Sequence, residues 1–540
     1  MPPVFYLLFF HIDQKSVIYN LALKLRKLMD IRASIDYRKP GPSFILLYLL
    51  GVGFLDTALR IGIGSEGFSL LSLYSHTLLF SLFFMIILII FRCATPREKI
   101  HSLIKNISML FWIVGLTPIS SYYIYGEVPT NILYSELGSI LLIFFFAIVL
   151  LNFSILSKIG IFKSIFSSLG ILALSIPIFS INRVLLIDVS RPHFKLYELF
   201  TVDVFLQQGW SIELFLAHRY HLLIVLLLLE NFLIYTLFAY KYLSERFMKL
   251  LKTIKPFRTL HFVMMVLLGV IFVQHIMPDE ALSIVSINHF PFIFLPALCL
   301  VLLWQFTTLL NDIYDQDIDI HVHPERPLVS DEFDRPFYIS ILIFFALLSS
   351  LLSILLGPFL LFLNLAALIL AVLYSVPPMR LRDKVYGHVC VGLGSLIGFL
   401  FGVYSPVAWK HGIYLSSRTV ERNIPLLPDV LLVGMLIIIV LSISPLINAL
   451  SDYEGDKKSG VRNVYTVLGL EKGKKLVSIL IVFLFISPTI LFNSTLDIAF
   501  MLLTGIISSI IFYRKEDHRP VFGLYFLVLI YLILRFITYL

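Results

Sequence analysis

Runs of about twenty apolar residues recur along nearly the whole 540-residue chain, and a run of that length crosses the ~30 Å hydrocarbon core of a bilayer as one helix. Within lipid a helix pairs its own backbone N–H and C=O groups, so runs of this kind predict a polytopic, all-α integral membrane protein. Composition agrees: 59% of residues are apolar and 14% charged, whereas soluble domains carry roughly 45–50% and about 25%. A water-soluble globule, a disordered chain and a collagen-like repeat are thereby excluded. Three cysteines, Cys93, Cys299 and Cys390, are too dispersed for a disulfide scaffold and sit in or beside apolar runs as small core residues. The formal net charge of +8 has its source in loops, where membrane proteins collect Lys and Arg. No basic, aromatic-interleaved soluble module is present to hold nucleic acid.

About fifteen transmembrane helices are expected. Six lie near 42–62, 68–91, 106–125, 132–156, 164–187 and 219–241. Nine follow near 257–277, 290–311, 335–356, 358–376, 387–406, 428–448, 475–494, 496–513 and 521–538. The basic stretch from Lys241 to Lys255 separates the two sets and divides the chain into 1–250 and 251–540. On one side of the second set lie Arg246, Lys249, Arg258, Arg326, Arg335, Arg380, Arg382, Lys384, Lys457, Lys458, Arg462, Lys472, Lys474, Arg514 and Lys515; the other side offers Lys410, Arg418, Arg422 and Arg535. The excess marks the first side as cytoplasmic. Lys24, Arg26, Lys27, Arg32, Arg38 and Lys39 before the first span agree, since six spans return the chain to that side. The opening stretch to Phe10 lacks the basic segment of a signal peptide and is expected to remain on the protein.

Acidic residues at membrane helices are costly and point to function. They concentrate twice, in Asn311-Asp312-Ile313-Tyr314-Asp315-Gln316-Asp317-Ile318-Asp319 and in Asn448-Ala449-Leu450-Ser451-Asp452-Tyr453-Glu454-Gly455-Asp456. Residues four apart share a helix face, so Asn311, Asp315 and Asp319 form one polar stripe and Asn448, Asp452 and Asp456 another. Both end on the cytoplasmic side. Hard oxygen ligands at this density suit Mg²⁺ completed by substrate phosphates, with Asp312 as a further donor. Two such stripes facing each other would clamp Mg²⁺ on one diphosphate and stabilise it as it leaves. The alternative is a set of solvated loop carboxylates.

Basic groups follow each cluster: Arg326 in Pro324-Glu325-Arg326-Pro327-Leu328, then Lys457, Lys458 and Arg462. The fourth helix of the second set runs into Tyr374-Ser375-Val376-Pro377-Pro378-Met379-Arg380-Leu381-Arg382. Its paired prolines stop the helix, and Tyr374, Arg380 and Arg382 supply phosphate donors, or else positive-inside anchors.

Three segments together resemble the UbiA superfamily of intramembrane prenyltransferases. Asn311-Asp312-x2-Asp315-x3-Asp319 with Arg326-Pro327-Leu328 is similar to its first motif. Tyr374-Ser375-x-Pro377-Pro378-x-Arg380 resembles the connection after its fourth helix, and Asp452-Tyr453-Glu454-Gly455-Asp456-Lys457-Lys458-x-Gly460-x-Arg462 its second motif. The resemblance covers about 250–540. It implies a nine-helix bundle that binds a polyprenyl diphosphate through Mg²⁺, ionises it to an allylic cation and passes the prenyl group to a small-molecule or lipid acceptor. Asn311, Asp315, Asp319, Asp452 and Asp456 would be its Mg²⁺–diphosphate residues. Two departures stand out: Lys255-Pro256-Phe257-Arg258 where the family often has Arg-Pro, and Glu325 where it commonly has Asn. His321 and His323 in the same loop are read as solvated. Residues 1–250 carry none of these motifs and are expected to brace the bundle. From another class, a transporter or channel with an acidic cation site remains the rival reading.

Overall fold

The structure, a computed structural model, describes residues 42–62, scattered positions from 73 to 108, 212–243, 248, 254–278, 290–316, 319–320, 324, 326–330, 333–384, 386–410, 428–451, 453–454, 457, 461–491 and 494–539. The described residues are helical and contain no strand. Among them nine helices are long and apolar enough to cross a membrane, all after residue 255. Their positions match the nine runs expected there. Of the six earlier spans, α1 (Pro42–Gly62) and α2 (Ile212–Leu243) coincide with the first and last. The expected spans near 68–91, 106–125, 132–156 and 164–187 lie mostly or wholly outside the described residues.

The remaining elements are α3 (Pro256–Ile276), α4 (Phe290–Tyr314), α5 (Arg335–Leu356), α6 (Pro358–Ser375), α7 (Val389–Lys410), α8 (Pro428–Leu441), α9 (Ser444–Asn448), α10 (Val464–Leu468), α11 (Leu470–Ile486), α12 (Thr495–Lys515) and α13 (Arg519–Tyr539). The chain divides into two compact units: residues 1–69, 79–179 and 331–344, and residues 70–78, 180–330 and 345–540. In the first unit the opening of α1 meets α5, where Ser43 N and Oγ lie 3.2 and 2.8 Å from Ser340 Oγ.

The second unit holds the bundle. Proline sets several helix starts, because its missing N–H is unpaired there in any case: Pro256 opens α3, Pro358 opens α6 and Pro445 opens α9. Large apolar side chains such as Phe257, Phe362, Ile369 and Leu496 are exposed. In water such a surface would drive aggregation; against lipid tails it is at home.

Lipid removes the hydrophobic drive for helix association, so small and polar residues do the joining. Among the described helices the most extensive contact is α3 against α7, where Gly269 and Gly402 let the two backbones touch. Cys299 Sγ of α4 lies 2.9 Å from Ser353 Oγ of α5, and Asn364 Nδ2 of α6 donates to Ser350 Oγ at 3.0 Å. Ser395 Oγ of α7 donates to Val391 O and therefore accepts from His261 Nε2 of α3 at 2.9 Å. His261 Nδ1 lies 2.8 Å from the Tyr525 hydroxyl of α13. One imidazole thus ties three helices, with a hydrogen-bond partner at each nitrogen.

Candidate active site

α4 is uncharged until its last turns, where Asn311 and Asp312 precede a break at Asp315. Helix-type backbone bonds continue past it, from Asp315 N to Asn311 O and from Asp319 N to Asp315 O, at 2.9 and 2.8 Å. The four-residue spacing therefore survives, and Asp312, Asp315 and Asp319 are all buried.

The side chains sort differently from the expected single stripe. Asn311 and Asp315 form one group: Asn311 Nδ2 donates to Asp315 Oδ2, Arg382 Nη1 donates to Asn311 Oδ1 at 2.9 Å and to Asp315 Oδ2, and Arg380 Nη2 reaches Asp315 Oδ1 at 2.9 Å. Asp319 instead joins Asp312. Residues seven apart lie almost directly above one another, and Arg326 Nη1 bridges the two carboxylates at 2.9 and 2.5 Å. Like charges on one face are held together by a guanidinium between them, which is why Asp319 leaves the Asp315 group.

Arg380 and Arg382 owe their placement to the turn after α6. Pro377 and Pro378 end the helix, Arg380 takes a left-handed backbone conformation (φ +33°), and a short 3₁₀ turn spans Leu381–Asp383. A non-glycine residue there carries strain, which concentrates at functional sites. Asp383 faces the Nε atoms of both arginines, at 3.0 Å for Arg380 and 3.5 Å for Arg382, while their outer nitrogens turn to Asp315. Its carbonyl accepts from Arg462 N at 3.3 Å, tying the second motif's loop to this turn. Asp383 was missed by spacing arguments. Its signal was an acidic residue one and three places after two arginines.

Tyr374 lies in the last turn of α6. Asn448 closes α9, and the backbone then turns by short bonds, Ser451 N to Asn448 O and Tyr453 N to Leu450 O, in place of the continuous helix expected for the second stripe. Lys457 is exposed, its ammonium over the Tyr453 ring at 5.7 Å from the centroid. Asp452 and Asp456 lie outside the described residues, as do His321, His323 and Glu325.

Lys255, at the start of α3, has its pKa lowered to about 8 by burial and then by Arg258, with Arg326 adding to the effect and Asp312 and Asp319 opposing it. The folded protein thus holds this proton more weakly than the unfolded chain. The resulting destabilisation is fully present below pH 8 and is relieved as pH rises toward the unfolded value of 10.5.

The donor set consists of hard oxygens from Asp312, Asp315, Asp319 and Asn311, the chemistry Mg²⁺ takes. Among the described residues no three carboxylates or other His, Cys, Asp or Glu ligands converge on one point, since the arginines divide them. The donors fit the metal in kind, and the second acidic set would have to complete it.

Nine long apolar helices among the described residues, with a buried carboxylate–guanidinium cluster at the end of α4, define a polytopic helical membrane protein. Residues 262–530 match the UbiA prenyltransferase family, and this part of the chain belongs to it. Among curated relatives, chloroplastic chlorophyll synthase of Arabidopsis thaliana is 27% identical over 177 residues, 31% of this chain and 42% of that protein. Digeranylgeranylglyceryl phosphate synthase of Methanosphaera stadtmanae is 26% identical over 229 residues, 41% of this chain and 74% of that protein. The chain therefore spans less than half the length of the first of these relatives. A solved UbiA homolog from Archaeoglobus fulgidus bound to GPP and Mg²⁺ is 19% identical, with a TM-score of 0.39 over 54% of this chain and 99% of that one.

Proposed function

We propose that this protein transfers a prenyl group from a polyprenyl diphosphate to a small aromatic or lipid acceptor, with Mg²⁺ as cofactor. In this reading residues 251–540 form the catalytic domain, 1–250 form an additional membrane domain, and the site opens to the cytoplasm. The observation that supports it most is the cluster of Asp312, Asp315 and Asp319 with Arg326, Arg380 and Arg382 at the end of uncharged helices. A diphosphate needs basic groups and a long isoprenoid tail needs an apolar, water-free chamber. An ion pathway would place its ionisable groups near the bilayer midplane, whereas these close a 25-residue helix.

The four described carboxylates, Asp312, Asp315, Asp319 and Asp383, are nearly balanced by three arginines and Lys255. Adding a diphosphate to a balanced buried site requires further positive charge. Bound Mg²⁺ would supply it through Asn311, Asp312, Asp315, Asp319, Asn448, Asp452 and Asp456, stabilising the leaving diphosphate. Arg326, Arg380, Arg382, Tyr374 and Lys457 are assigned to the phosphate oxygens. The C1–O bond breaks with its electron pair leaving on the diphosphate, the acceptor's nucleophilic atom bonds to C1, and the acceptor gives up one proton.

The test uses full-length protein in lipid nanodiscs with labelled geranyl and geranylgeranyl diphosphate and a lipid extract as acceptor source. Diphosphate release and a prenylated product by mass spectrometry are expected with Mg²⁺ and not with EDTA. No binding of either diphosphate under any condition would refute the reading. Since the Lys255 amine is charged only below about pH 8, affinity for geranyl diphosphate should fall between pH 7 and 9. Lys255→Met should flatten that profile, and an unchanged slope would remove Lys255 from the site.

A further inference from the structure

Arg380 and Arg382 each stand between two carboxylates. Their outer nitrogens meet Asp315 on α4, and their Nε atoms face Asp383 in the turn after α6, at 3.0 and 3.5 Å. The two carboxylates differ. Asp315 is 3% exposed and belongs to the acidic stripe assigned to Mg²⁺, whereas Asp383 is 29% exposed and lies outside both acidic clusters of the sequence. A partly exposed ion pair stabilises a fold little by itself. Here, however, one carboxylate faces both arginines of the site.

The backbone gives Asp383 a rigid mount. Its N–H donates to Arg380 O at 3.1 Å, Lys384 N donates to Leu381 O at 3.0 Å and Gly387 N to Lys384 O at 2.9 Å, while the Asp383 carbonyl accepts from Arg462 N. Gly387 closes the turn so tightly that a Cβ there would lie 2.2 Å from Leu381 O. Arg380 Nε and Asp383 Oδ1 are sealed from solvent, yet neither makes an aligned hydrogen bond. The grip is therefore one of opposite charges with water excluded, which holds a guanidinium in place and lets it turn about Nε.

We infer that Asp383 is a positioning residue for prenyl transfer: it keeps hold of both arginines at Nε while their outer nitrogens pass from Asp315 to the phosphate oxygens. The inference rests on the transferase reading and adds to it a residue assigned neither to substrate nor to metal. A guanidinium is planar, with its donors in a fixed fork, so a grip on Nε decides where the outer N–H groups point. Without Asp383, arginines that leave Asp315 lose their second anchor, and the phosphate donors are no longer ordered in advance of the reaction. The same carboxylate is a negative charge behind groups that bind an anion, so it weakens binding of the diphosphate. Orientation and affinity are thus opposed at this residue, a split that a merely structural role does not produce.

Asp383→Asn keeps the size of the side chain and leaves the carbonyl link to Arg462 in place. With full-length protein in nanodiscs, inorganic pyrophosphate in EDTA should bind this variant as tightly as wild type, or up to about threefold more tightly. With Mg²⁺, labelled geranyl diphosphate and a lipid extract, kcat should fall at least about tenfold, with KM for geranyl diphosphate no higher than in wild type. Asp383→Glu restores the charge and should recover most of the rate. Arg380→Lys keeps a charge without the fork, and in that background Asp383→Asn should cost less than about threefold. The inference is overturned if Asp383→Asn keeps wild-type kcat, if its pyrophosphate binding weakens about threefold or more, or if its KM rises. It is also overturned if Asp383→Glu is as slow as Asp383→Asn, or if the loss is undiminished beside Arg380→Lys. Wild type that neither binds pyrophosphate nor releases diphosphate refutes the transferase reading itself and removes this inference with it.

Discussion

Asp315→Asn is expected to lower prenyl transfer by about a thousandfold, the scale of removing a charge-stabilising group from a preorganised site. Asp315 joins three partners of the cluster: Arg380 on Oδ1, and Arg382 with Asn311 on Oδ2. An amide keeps the shape, loses the charge and turns an N–H toward a guanidinium. The change also affects stability, because the Asp315 side chain is 3% exposed and its arginines 24% and 20%. Breaking a fully buried pair costs ~3–5 kcal/mol, and partial exposure of the arginines lowers this to about 2 kcal/mol. Initial rates with labelled geranyl diphosphate, taken below the variant's melting temperature, separate the two effects. Wild-type turnover in Asp315→Asn would remove this residue from the chemistry. Asp319→Asn, which disturbs the Arg326 bridge to Asp312, should likewise lower prenyl transfer.

The largest stability effect should come from two glycines far from any charge. A Cβ on Gly402 would lie 2.0 Å from Val266 O, and one on Gly269 would lie 2.1 Å from Phe399 O. Ordinary C···O contacts need about 3.3 Å or more, so alanine at either position must force α3 and α7 apart by more than an ångström. Alanine is a better helix former by about 1 kcal/mol. Overpacking against backbone costs ~3 kcal/mol or more, since no side chain can turn aside. Gly402→Ala and Gly269→Ala should each destabilise markedly, and the double variant should lose less than the sum, because one displacement relieves both clashes. Thermal unfolding in nanodiscs reads this directly; unchanged melting in both variants would mean the helices do not cross here. The displacement should also weaken geranyl diphosphate binding, since α3 begins beside Lys255 and Arg258.

Much of the bundle was legible because lipid imposes a length rule: an apolar run long enough to span must be a helix. Pro256, Pro358 and Pro445 even mark helix starts. The cluster on α4 was legible for a similar reason, as charged residues at the end of an uncharged span have few other uses. Spacing alone could not sort its partners. It placed Asp319 with Asp315, and the structure pairs it with Asp312 through Arg326, because repulsion between adjacent carboxylates is settled by where a guanidinium can reach. Asp383 was passed over since its role depends on a turn that brings both arginine Nε atoms to one carboxylate. The continuous helix expected through Asn448 gives way to short-bonded turns.

Local order in the chain was enough to determine an all-helical membrane protein, the position of the nine later spans and the residue types at the charged end, because each follows from periodicity and the cost of polar groups in hydrocarbon. The crossing of α3 and α7 at Gly269 and Gly402 and the division of carboxylates among three arginines depend on which helices meet and at what height. Those contacts join residues far apart in sequence, and only three-dimensional packing decides them.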